Sequence, residues 1–390
     1  MSSQDQARRR GPDEDRLLSP ITASQQPLDR IVITGIGLVT SVGHRAEEAF
    51  TSLRAGIVRL QEYPAYEPLV RDPALFFPES VVASPVTELT DGLEGVERLL
   101  ALATPALKEA IFDAKLSETD IGSTSLLVAG SQMPSRIPGT RIATVLVPRL
   151  AQRVARIPFA GKQYYCVGSA GCFEALHRAR RLLNAGTCRY CIVGGVDSWL
   201  DPETLAWLDE ARRLKSDSTI DGFIPGEAAA FVVVEREEQC RARKKLPYAV
   251  CGGVALDEEK NTIWTDQPCT GEGLARCLKT VLADPIGRSR GPDVVVCDLN
   301  GESYRASEWA YAVPKAFQEV KVPPLVHPAD CIGDVGAASG GVLLGLAAWS
   351  SKKDPAEWRT ALAWCSSDDG LRGACVIEAL GTSHADPHGR

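Results

Sequence analysis

The chain lacks three features that would each indicate a particular class of protein. No apolar stretch approaches the roughly 20 residues that cross a bilayer, and residues 1–16 contain no apolar segment of the kind found in secretion signals. Positive charge is not in excess either, because the formal net charge is −7. A surface that follows a phosphate backbone needs clustered basic residues. We therefore expect a cytoplasmic protein that has no membrane span and does not bind nucleic acid.

Histidine is also scarce, with five in 390 residues, whereas cysteine occurs twelve times. Most of the cysteines lie within apolar strand or helix patterns, as expected of small core residues in a reducing compartment. Cys188 and Cys191 have the spacing of a metal or redox pair, but the sequence has no second pair to complete a site. The sequence therefore predicts free thiols and neither a metal nor another cofactor.

The order of the predicted elements indicates an α/β protein in two similar parts. The predicted parts are a disordered tail at 1–28, a first half with an inserted cap at 29–246, a second half at 247–380 and a polar tail at 381–390. Strands alternate with helices in both halves, which predicts mostly parallel pairing and two sheets between layers of helices. Gly35 and Gly37 follow the first strand, but Thr40 stands where a dinucleotide-binding loop needs its third glycine. We therefore reject a dinucleotide site.

The stretch 162–199, KQYYCVGSAGCFEALHRARRLLNAGTCRYCIVGGVDSW, is predicted to lie at the centre of the fold. Its pattern indicates a strand to Val167, a bend of small residues, a helix to Leu183 and a buried strand from Tyr190. Ser169 lies where the first strand turns into the helix. A side chain there faces the positive end of the helix dipole, where enzymes place nucleophiles, although a serine before a helix is also an ordinary cap.

Four ordered motifs resemble those of the β-ketoacyl-acyl-carrier-protein synthases, a family of the thiolase fold. They are the opening strand and loop at 30–43, the helix and strand at 182–197, the sequence DGFIPGEAA from Asp221 and the sequence GAASG from Gly336. The resemblance extends over about residues 30–380. It implies a five-layered α-β-α-β-α fold built from two similar halves, with a site that handles acyl thioesters.

The residues that perform condensation in that family are replaced here. The resemblance implies a nucleophilic cysteine, two histidines, a lysine upstream of the second histidine and a glycine-rich gating loop. At these positions the chain has Ser169, Asn300, Asp334, the pair Ala329–Asp330 and the sequence SDDGLRG from Ser367. The resemblance therefore implies a divergent member that lacks the usual Cys-His-His residues.

A serine nucleophile needs a base within hydrogen-bond reach, because its hydroxyl is protonated near neutral pH. Among the five histidines, His327 is best placed along the chain, and Asp334 could be the base or could orient it. A lone histidine after an apolar strand is also a common structural residue. Asn300 could hold an oxyanion or a water through its amide.

Two functions are compatible with these residues. One is an enzyme that transfers or hydrolyses the acyl group of a thioester through Ser169 rather than completing decarboxylative condensation. The other is a catalytically silent ketosynthase-like protein that serves as a dimer partner or scaffold in a larger assembly. The resemblance also implies acyl carrier protein or acyl-CoA as a partner, and a homodimer that pairs through the strand of Tyr164 and Tyr165, whose side chains we expect to be exposed.

Overall fold

The computed structural model describes residues 30–68, 81–131, 139–318 and 321–381. The predicted tail at 1–28, nearly all of the predicted tail at 381–390 and part of the predicted cap lie outside these ranges. The strands are β1 (Ile31–Val39), β2 (Gln61–Glu62), β3 (Val82–Ala83), β4 (Thr124–Gly130), β5 (Gly161–Cys166), β6 (Tyr190–Ser198), β7 (Glu227–Arg236), β8 (Ala249–Glu258), β9 (Val294–Cys297), β10 (Leu325–Val326), β11 (Thr360–Ser366) and β12 (Leu371–Ala379).

The helices alternate with these strands. They are α1 (Ala46–Arg54), α2 (Thr87–Thr90), α3 (Gly95–Asp113), α4 (Glu118–Ile121), α5 (Gly139–Val154), α6 (Gly171–Asn184), α7 (Pro202–Glu210), α8 (Glu237–Ala242), α9 (Glu272–Leu282), α10 (Pro285–Arg290), α11 (Ser303–Ala316), α12 (Ala329–Ile332) and α13 (Ser339–Lys353). Short 3₁₀ turns at Gly168–Ala170 and Gly336–Ala338 precede α6 and α13. The two halves therefore enter α6 and α13 through similar bends.

Ten strands form one continuous sheet in the order β10-β9-β11-β12-β8-β1-β7-β6-β4-β5. Each half of the chain supplies five neighbouring strands. The two groups meet where β1 runs antiparallel to β8, with Ile31, Val32 and Ile33 opposite Cys251, Val250 and Ala249. The two predicted sheets are therefore present as two five-stranded groups joined through three residue pairs.

The prediction of mostly parallel pairing is wrong. The pairs β4–β5, β4–β6, β9–β10 and β9–β11 are parallel, whereas β1–β7, β6–β7, β11–β12, β8–β12 and β1–β8 are antiparallel. One cause is the connection between β11 and β12, which is residues 367–370 alone. A connection that short joins antiparallel neighbours, because a parallel crossover needs a dozen or more residues.

The predicted five layers are present. Helices α6 and α13 form the middle layer and share one apolar core with the inner faces of both strand groups. Helix α13 is buried from Ser339 to Ser351, which fits its small and apolar sequence SGGVLLGLAAWSS. Helices α3 and α5 cover the outer face of β1, β4, β6 and β7, and α9 and α11 cover β8, β9, β11 and β12. The central helices therefore reach both halves of the chain.

Most predicted elements are found within a few residues of their predicted bounds, but β1 is longer. It was expected to end at Ile33 and continues to Val39. A Cβ atom on Gly35 would lie 2.5 Å from Ala110 O, and one on Gly37 would lie 1.9 Å from Ala106 O. These glycines therefore allow α3 to pack directly on the strand instead of forming a loop.

The edge strand β5 differs from the prediction in which side chains it exposes. Tyr165 is buried in the core and Tyr164 is half-buried, with its hydroxyl against Gly130. The exposed side chains of the strand are those of Lys162, Gln163 and Cys166. The expectation of exposed tyrosines is wrong, although β5 does lie at an edge of the sheet.

Candidate functional site

Ser169 lies in the bend between β5 and α6, within the 3₁₀ turn, and 5% of its surface is exposed. Gly168 has a φ of +70°, a left-handed conformation that favours glycine. Ser367, from the turn between β11 and β12, fixes the bend on its other side. The backbone N–H of Ala170 donates to Ser367 Oγ at 2.9 Å, and the Ser367 hydroxyl donates to the carbonyl of Val167. The turn between β11 and β12 is therefore attached to the bend that contains Ser169.

A cavity of about 370 Å³ opens beside Ser169. Its walls include three tryptophans and three aspartates: Trp199, Trp207, Trp264, Asp197, Asp368 and Asp369. A second cavity of about 450 Å³ shares Ser131 and Asp197 with the first and extends along the start of α3. The space next to the serine is therefore large enough for a small ligand, and the second cavity lies on another side of Asp197.

Asn300 and Asp334 are brought together, as their positions before α11 and α13 allow. Asn300 Nδ2 donates to Asp334 Oδ2 at 2.8 Å and to Glu302 Oε2 at 2.9 Å. Asp334 Oδ1 accepts from Trp199 Nε1 at 3.0 Å and from the Gly336 N–H at 2.7 Å. Both amide hydrogens of Asn300 and both oxygens of Asp334 are thus engaged within the protein.

The DGFIPGE motif helps to place Asp334. The backbone N–H of Asp334 donates to the carbonyl of Ile224, and the carbonyl of Asp334 accepts from the Gly226 N–H, each at 2.8 Å. Gly333 adopts a φ of +67° beside this motif, and a Cβ atom there would lie 2.6 Å from the Ile224 carbonyl oxygen. The motif therefore pairs by its backbone with the segment that contains Asp334.

A network of buried ion pairs continues from Asn300. Arg213 donates two hydrogen bonds to Glu302, of 2.7 and 2.8 Å, and two to Asp368, of 2.6 and 3.4 Å. Arg305 binds Asp368 at 3.1 Å and Asp298 at 2.9 Å. Burial raises the pKa of Asp298 to about 6, although the neighbouring Arg305 guanidinium opposes the shift. These contacts hold the turn between β11 and β12 against the start of α11.

His327 lies elsewhere. It lines a different cavity, of about 570 Å³, beside Trp358 and Leu346, and its Nδ1 is 2.8 Å from a carboxylate oxygen of Asp330. Ser169 is not among the residues that line that cavity within the described ranges. The structure therefore groups Ser169 with Asp197, and Asn300 with Asp334, while His327 lies apart; the catalytic roles of all four predicted residues stay predictions.

Comparisons with known proteins find similarity to β-ketoacyl synthases. Residues 165–240 match the family described as "Beta-ketoacyl synthase, N-terminal domain". The 3-oxoacyl-[acyl-carrier-protein] synthase 2 of Synechocystis is 25% identical over 293 residues, which are 65% of this chain and 69% of that protein. The chain is a homologue of the β-ketoacyl synthases. The ketoacyl synthase beta subunit of the tetracenomycin polyketide synthase of Streptomyces glaucescens is 25% identical over 337 residues, 75% of this chain and 78% of that protein.

Solved structures confirm the thiolase-like fold of this ketosynthase homologue. The type II polyketide ketosynthase of the AntDE:AntF complex, solved with its acyl carrier protein, covers 91% of the chain with a TM-score of 0.74 and 17% identity. The ishigamide ketosynthase/chain length factor also covers 91% of the chain, with a TM-score of 0.72 and 18% identity. In both cases the whole of the other chain is covered, so the shared fold is not confined to one half.

In this ketosynthase homologue, Asp197 lines the cavity beside Ser169 but was not predicted from the sequence. Asp197 is 4% exposed, and its carboxylate accepts hydrogen bonds from the backbone N–H groups of Ala337 at 2.8 Å and Ser198 at 3.0 Å. Burial raises its pKa to about 7, and the nearby charge of Asp334 adds to the shift. The sequence did contain an indication of it, because Asp197 follows Gly194, Gly195 and Val196 in a strand that was predicted to be buried. A buried carboxyl group is costly and is often found at a functional site.

The tryptophans of the cavity were also missed. Trp199 follows β6, Trp207 lies in α7 and Trp264 lies in the loop between β8 and α9. These segments are distant in sequence, so no spacing rule connects them. Their convergence depends on the tertiary fold.

One group in the described ranges could hold a metal ion. Ligand atoms of Glu259, Cys269 and Glu308 all lie within 4.8 Å of one another. Glu308 is already bound by Arg372 at 2.5 Å and by the Ser366 hydroxyl at 2.7 Å, which compensates its charge.

All twelve cysteines are free thiols, as predicted. None of the helices in the described ranges has the length and apolar composition of a membrane span.

Proposed function

We propose that this ketosynthase homologue binds acyl thioesters and accepts the acyl group on Ser169, for transfer or hydrolysis, without completing decarboxylative condensation. The observation that carries the proposal is the cavity of about 370 Å³ that Ser169 shares with the buried carboxyl group of Asp197. Its volume is within the range of small-molecule sites, about 300–1,000 Å³. Acyl carrier protein or acyl-CoA would deliver the thioester.

Asp197 takes the role of base in this proposal, in place of His327 and Asp334. His327 lines a different cavity, and Asp334 is not among the described residues that line the cavity beside Ser169. Asp197 has the pKa, about 7, that suits a group which accepts and returns a proton near neutral pH. Each of its oxygens has a second lone pair, so its two backbone hydrogen bonds leave it able to accept a proton.

The proposed step is balanced in atoms and charge. Ser169 Oγ bonds to the thioester carbonyl carbon while its proton passes to Asp197, directly or through one water. The C–S bond then breaks, and the leaving thiolate takes the proton from Asp197. The products are an oxygen ester on Ser169 and a free thiol, and the positive end of α6 stabilises the negative charge that develops on the carbonyl oxygen.

Condensation is excluded from the proposal because of how Asn300 and Asp334 are held. They bond to each other at 2.8 Å, and their remaining polar atoms contact Glu302, Trp199 and Gly336. Neither is placed to act as the positioned acid–base group that a histidine would be, and the loss of one such group lowers a rate by about 10²–10⁴. We expect no more than trace β-ketoacyl product from malonyl and acyl thioesters.

The test is acylation of the full chain with octanoyl- and cinnamoyl-pantetheine, followed by intact-mass measurement and peptide mapping. We expect an adduct on Ser169 that is absent in Ser169→Ala and survives neutral hydroxylamine. The exposed thiol of Cys166 is the competing nucleophile, but its thioester would be cleaved by hydroxylamine. An adduct that is lost with hydroxylamine, or is unchanged in Ser169→Ala, would contradict the proposal.

Two further variants test the base. Asp197→Asn should lower the acylation rate by about 10² or more, because the serine then has no group to take its proton. If His327→Ala lowers the rate instead, His327 is the base and Asp197 is not.

A second candidate function is that of a silent partner of a ketosynthase. The observation in its favour is that the groups at both histidine positions, Asn300 and Asp334, are engaged in structural hydrogen bonds. Such a protein would pair with an active ketosynthase and shape its acyl cavity. Co-expression with a ketosynthase from the same genome tests it: product that depends on this chain and is equal for Ser169→Ala and the unaltered chain would support the silent role over acylation.

A further inference from the structure

The cavity beside Ser169 contains an unusual concentration of indole rings. Three of the seven tryptophans of the chain, Trp199, Trp207 and Trp264, line this one space. Trp199 is 7% exposed, whereas Trp264 is 49% exposed although it is one of the largest apolar side chains. A half-exposed indole at the wall of a cavity offers apolar surface that a bound ligand would remove from water.

The three rings have defined positions. The ring centroids of Trp207 and Trp264 are 5.3 Å apart, with 57° between the ring planes. Trp199 is fixed by its Nε1–H bond to Asp334 and by packing against Phe223, with ring centroids 5.3 Å apart. The walls are therefore preorganised for contacts with a flat group, because aromatic rings favour offset or tilted neighbours at centroid distances of about 4.5–7 Å.

Tryptophans beside aspartates could also form a cage for a cationic ligand, but the charges here oppose it. The guanidinium of Arg213 already lies 5.2 Å from the ring centroid of Trp264. Asp368 is bound by Arg213 at 2.6 Å and by Arg305 at 3.1 Å, and Asp197 accepts two backbone N–H groups. A cationic ligand would be repelled by the positive charge of Arg213 beside Trp264 and would meet two carboxylates that are already engaged, so the indole surface is better suited to an uncharged ligand.

We propose that this cavity selects flat, conjugated acyl groups, such as an aryl-substituted or polyunsaturated acyl chain, over saturated chains of similar length. The inference rests on the proposed binding of acyl thioesters. A conjugated group gains ring contacts with Trp207 and Trp264, and it has fewer rotatable bonds to immobilise than a saturated chain. The cavity of about 370 Å³ has room for an acyl group of this kind.

The first experiment measures binding without chemistry. Calorimetric titrations of the Ser169→Ala protein use pantetheine thioesters of trans-cinnamic, 3-phenylpropanoic and octanoic acids. We expect the cinnamoyl thioester to bind about tenfold more tightly than the octanoyl thioester, with the flexible phenylpropanoyl thioester between them. Octanoyl binding that equals or exceeds cinnamoyl binding would overturn the proposal, and so would the absence of binding by all three.

The second experiment assigns the preference to the tryptophans. In the same background, Trp264→Leu should weaken cinnamoyl binding about fivefold and change octanoyl binding less than twofold, and Trp264→Phe should restore most of the difference. Tyr311→Leu is the matched control, since Tyr311 is 53% exposed and is not among the residues that line the cavity. A loss that is equal for both thioesters, or no loss, would contradict the assignment.

The two proposals fail in different ways. If the unaltered chain forms no ester on Ser169 but the Ser169→Ala protein still ranks the thioesters as expected, acyl transfer is wrong and the ligand preference stands. If the ester forms equally fast from cinnamoyl and octanoyl thioesters and their affinities are equal, the ligand preference is wrong and acyl transfer stands.

Discussion

At the scale of single residues, Asp197 has the most measurable consequence. Its carboxyl group is buried near Asp334, and its charge in turn acts on Tyr164 and Cys166. Because burial raises its pKa from 3.8 to about 7, the folded protein retains a proton between these pH values that the unfolded chain has lost. The free energy of unfolding therefore falls as the pH rises through this window, and the contribution is constant above it.

The prediction for Asp197→Asn concerns the difference between the variant and the unaltered protein. The variant lacks the titrating group, so its free energy of unfolding does not contain this pH-dependent loss. The difference, variant minus unaltered chain, should therefore increase by about 4 kcal/mol as the pH rises from 4 to 8. Urea unfolding followed at each pH measures it, and titrating groups common to both proteins largely cancel. A difference that does not change with pH would show that Asp197 is ionised throughout this range.

Gly336 supports the position of Asp197. It has a φ of +53°, and a Cβ atom on it would lie 2.3 Å from Asp197 Oδ2. Gly336→Ala should lower the free energy of unfolding by about 3 kcal/mol, since it combines a left-handed backbone with a collision against a buried carboxyl group. Gly186→Ala is the matched control, because φ there is +66° and the described residues place no neighbouring atom within 4 Å of the Cβ that alanine would add, so about 1 kcal/mol is expected. Equal losses in the two variants would mean that Asp197 moves aside freely.

At the scale of elements, the turn between β11 and β12 is held by Arg213 and Arg305 through Asp368. The Arg213 side chain is 6% exposed and also binds Glu302. Arg213→Met would leave two buried carboxylates without this partner, so we expect a loss of about 3–5 kcal/mol in the free energy of unfolding. Arg276→Met removes a similar two-bond pair with Asp257, but Arg276 is 48% exposed, and about 1 kcal/mol or less is expected. Similar losses would show that the network adds no stability beyond that of a surface pair.

The elements also show what the sequence could predict. The helix predicted to end at Leu183 ends at Asn184, and the strand predicted from Tyr190 begins there, because both have a clear apolar pattern. The continuation of β1 to Val39 was not predictable from local pattern, because Gly35 and Gly37 are explained by the approach of α3. The position of Ser169 at a strand–helix bend followed from small residues next to each other. The location of His327 in a different cavity could not be predicted in this way, because only its position along the chain had suggested that it lies near Ser169.

At the scale of the whole molecule, the candidate site is shared between the two halves. Ser169 and Asp197 come from the first half, whereas Asn300, Asp334 and the Ser367 turn come from the second. The contact of Ser367 with Ala170 and that of Ala337 with Asp197 cross between the halves. The pairing of Asn300 with Asp334 also depends on the second half folding back on itself. Residue spacing could suggest these groups one at a time, but only the assembled halves reveal which of them share a cavity.

The two edges of the sheet lead to the last prediction, which is that two copies of the chain pair through β5. Strand β5 has six residues with exposed side chains at three of them, and β10 at the other edge has two residues. A long unpaired edge invites further strand pairing, whereas a very short one does not.

We expect twice the chain mass of 41.9 kDa by light scattering at micromolar concentration. Hydrogen exchange should show amides of 161–166 that are protected at high concentration and lose protection on dilution, while those of 325–326 do not change. A single-chain mass, or protection in β5 that is independent of concentration, would contradict pairing through this edge.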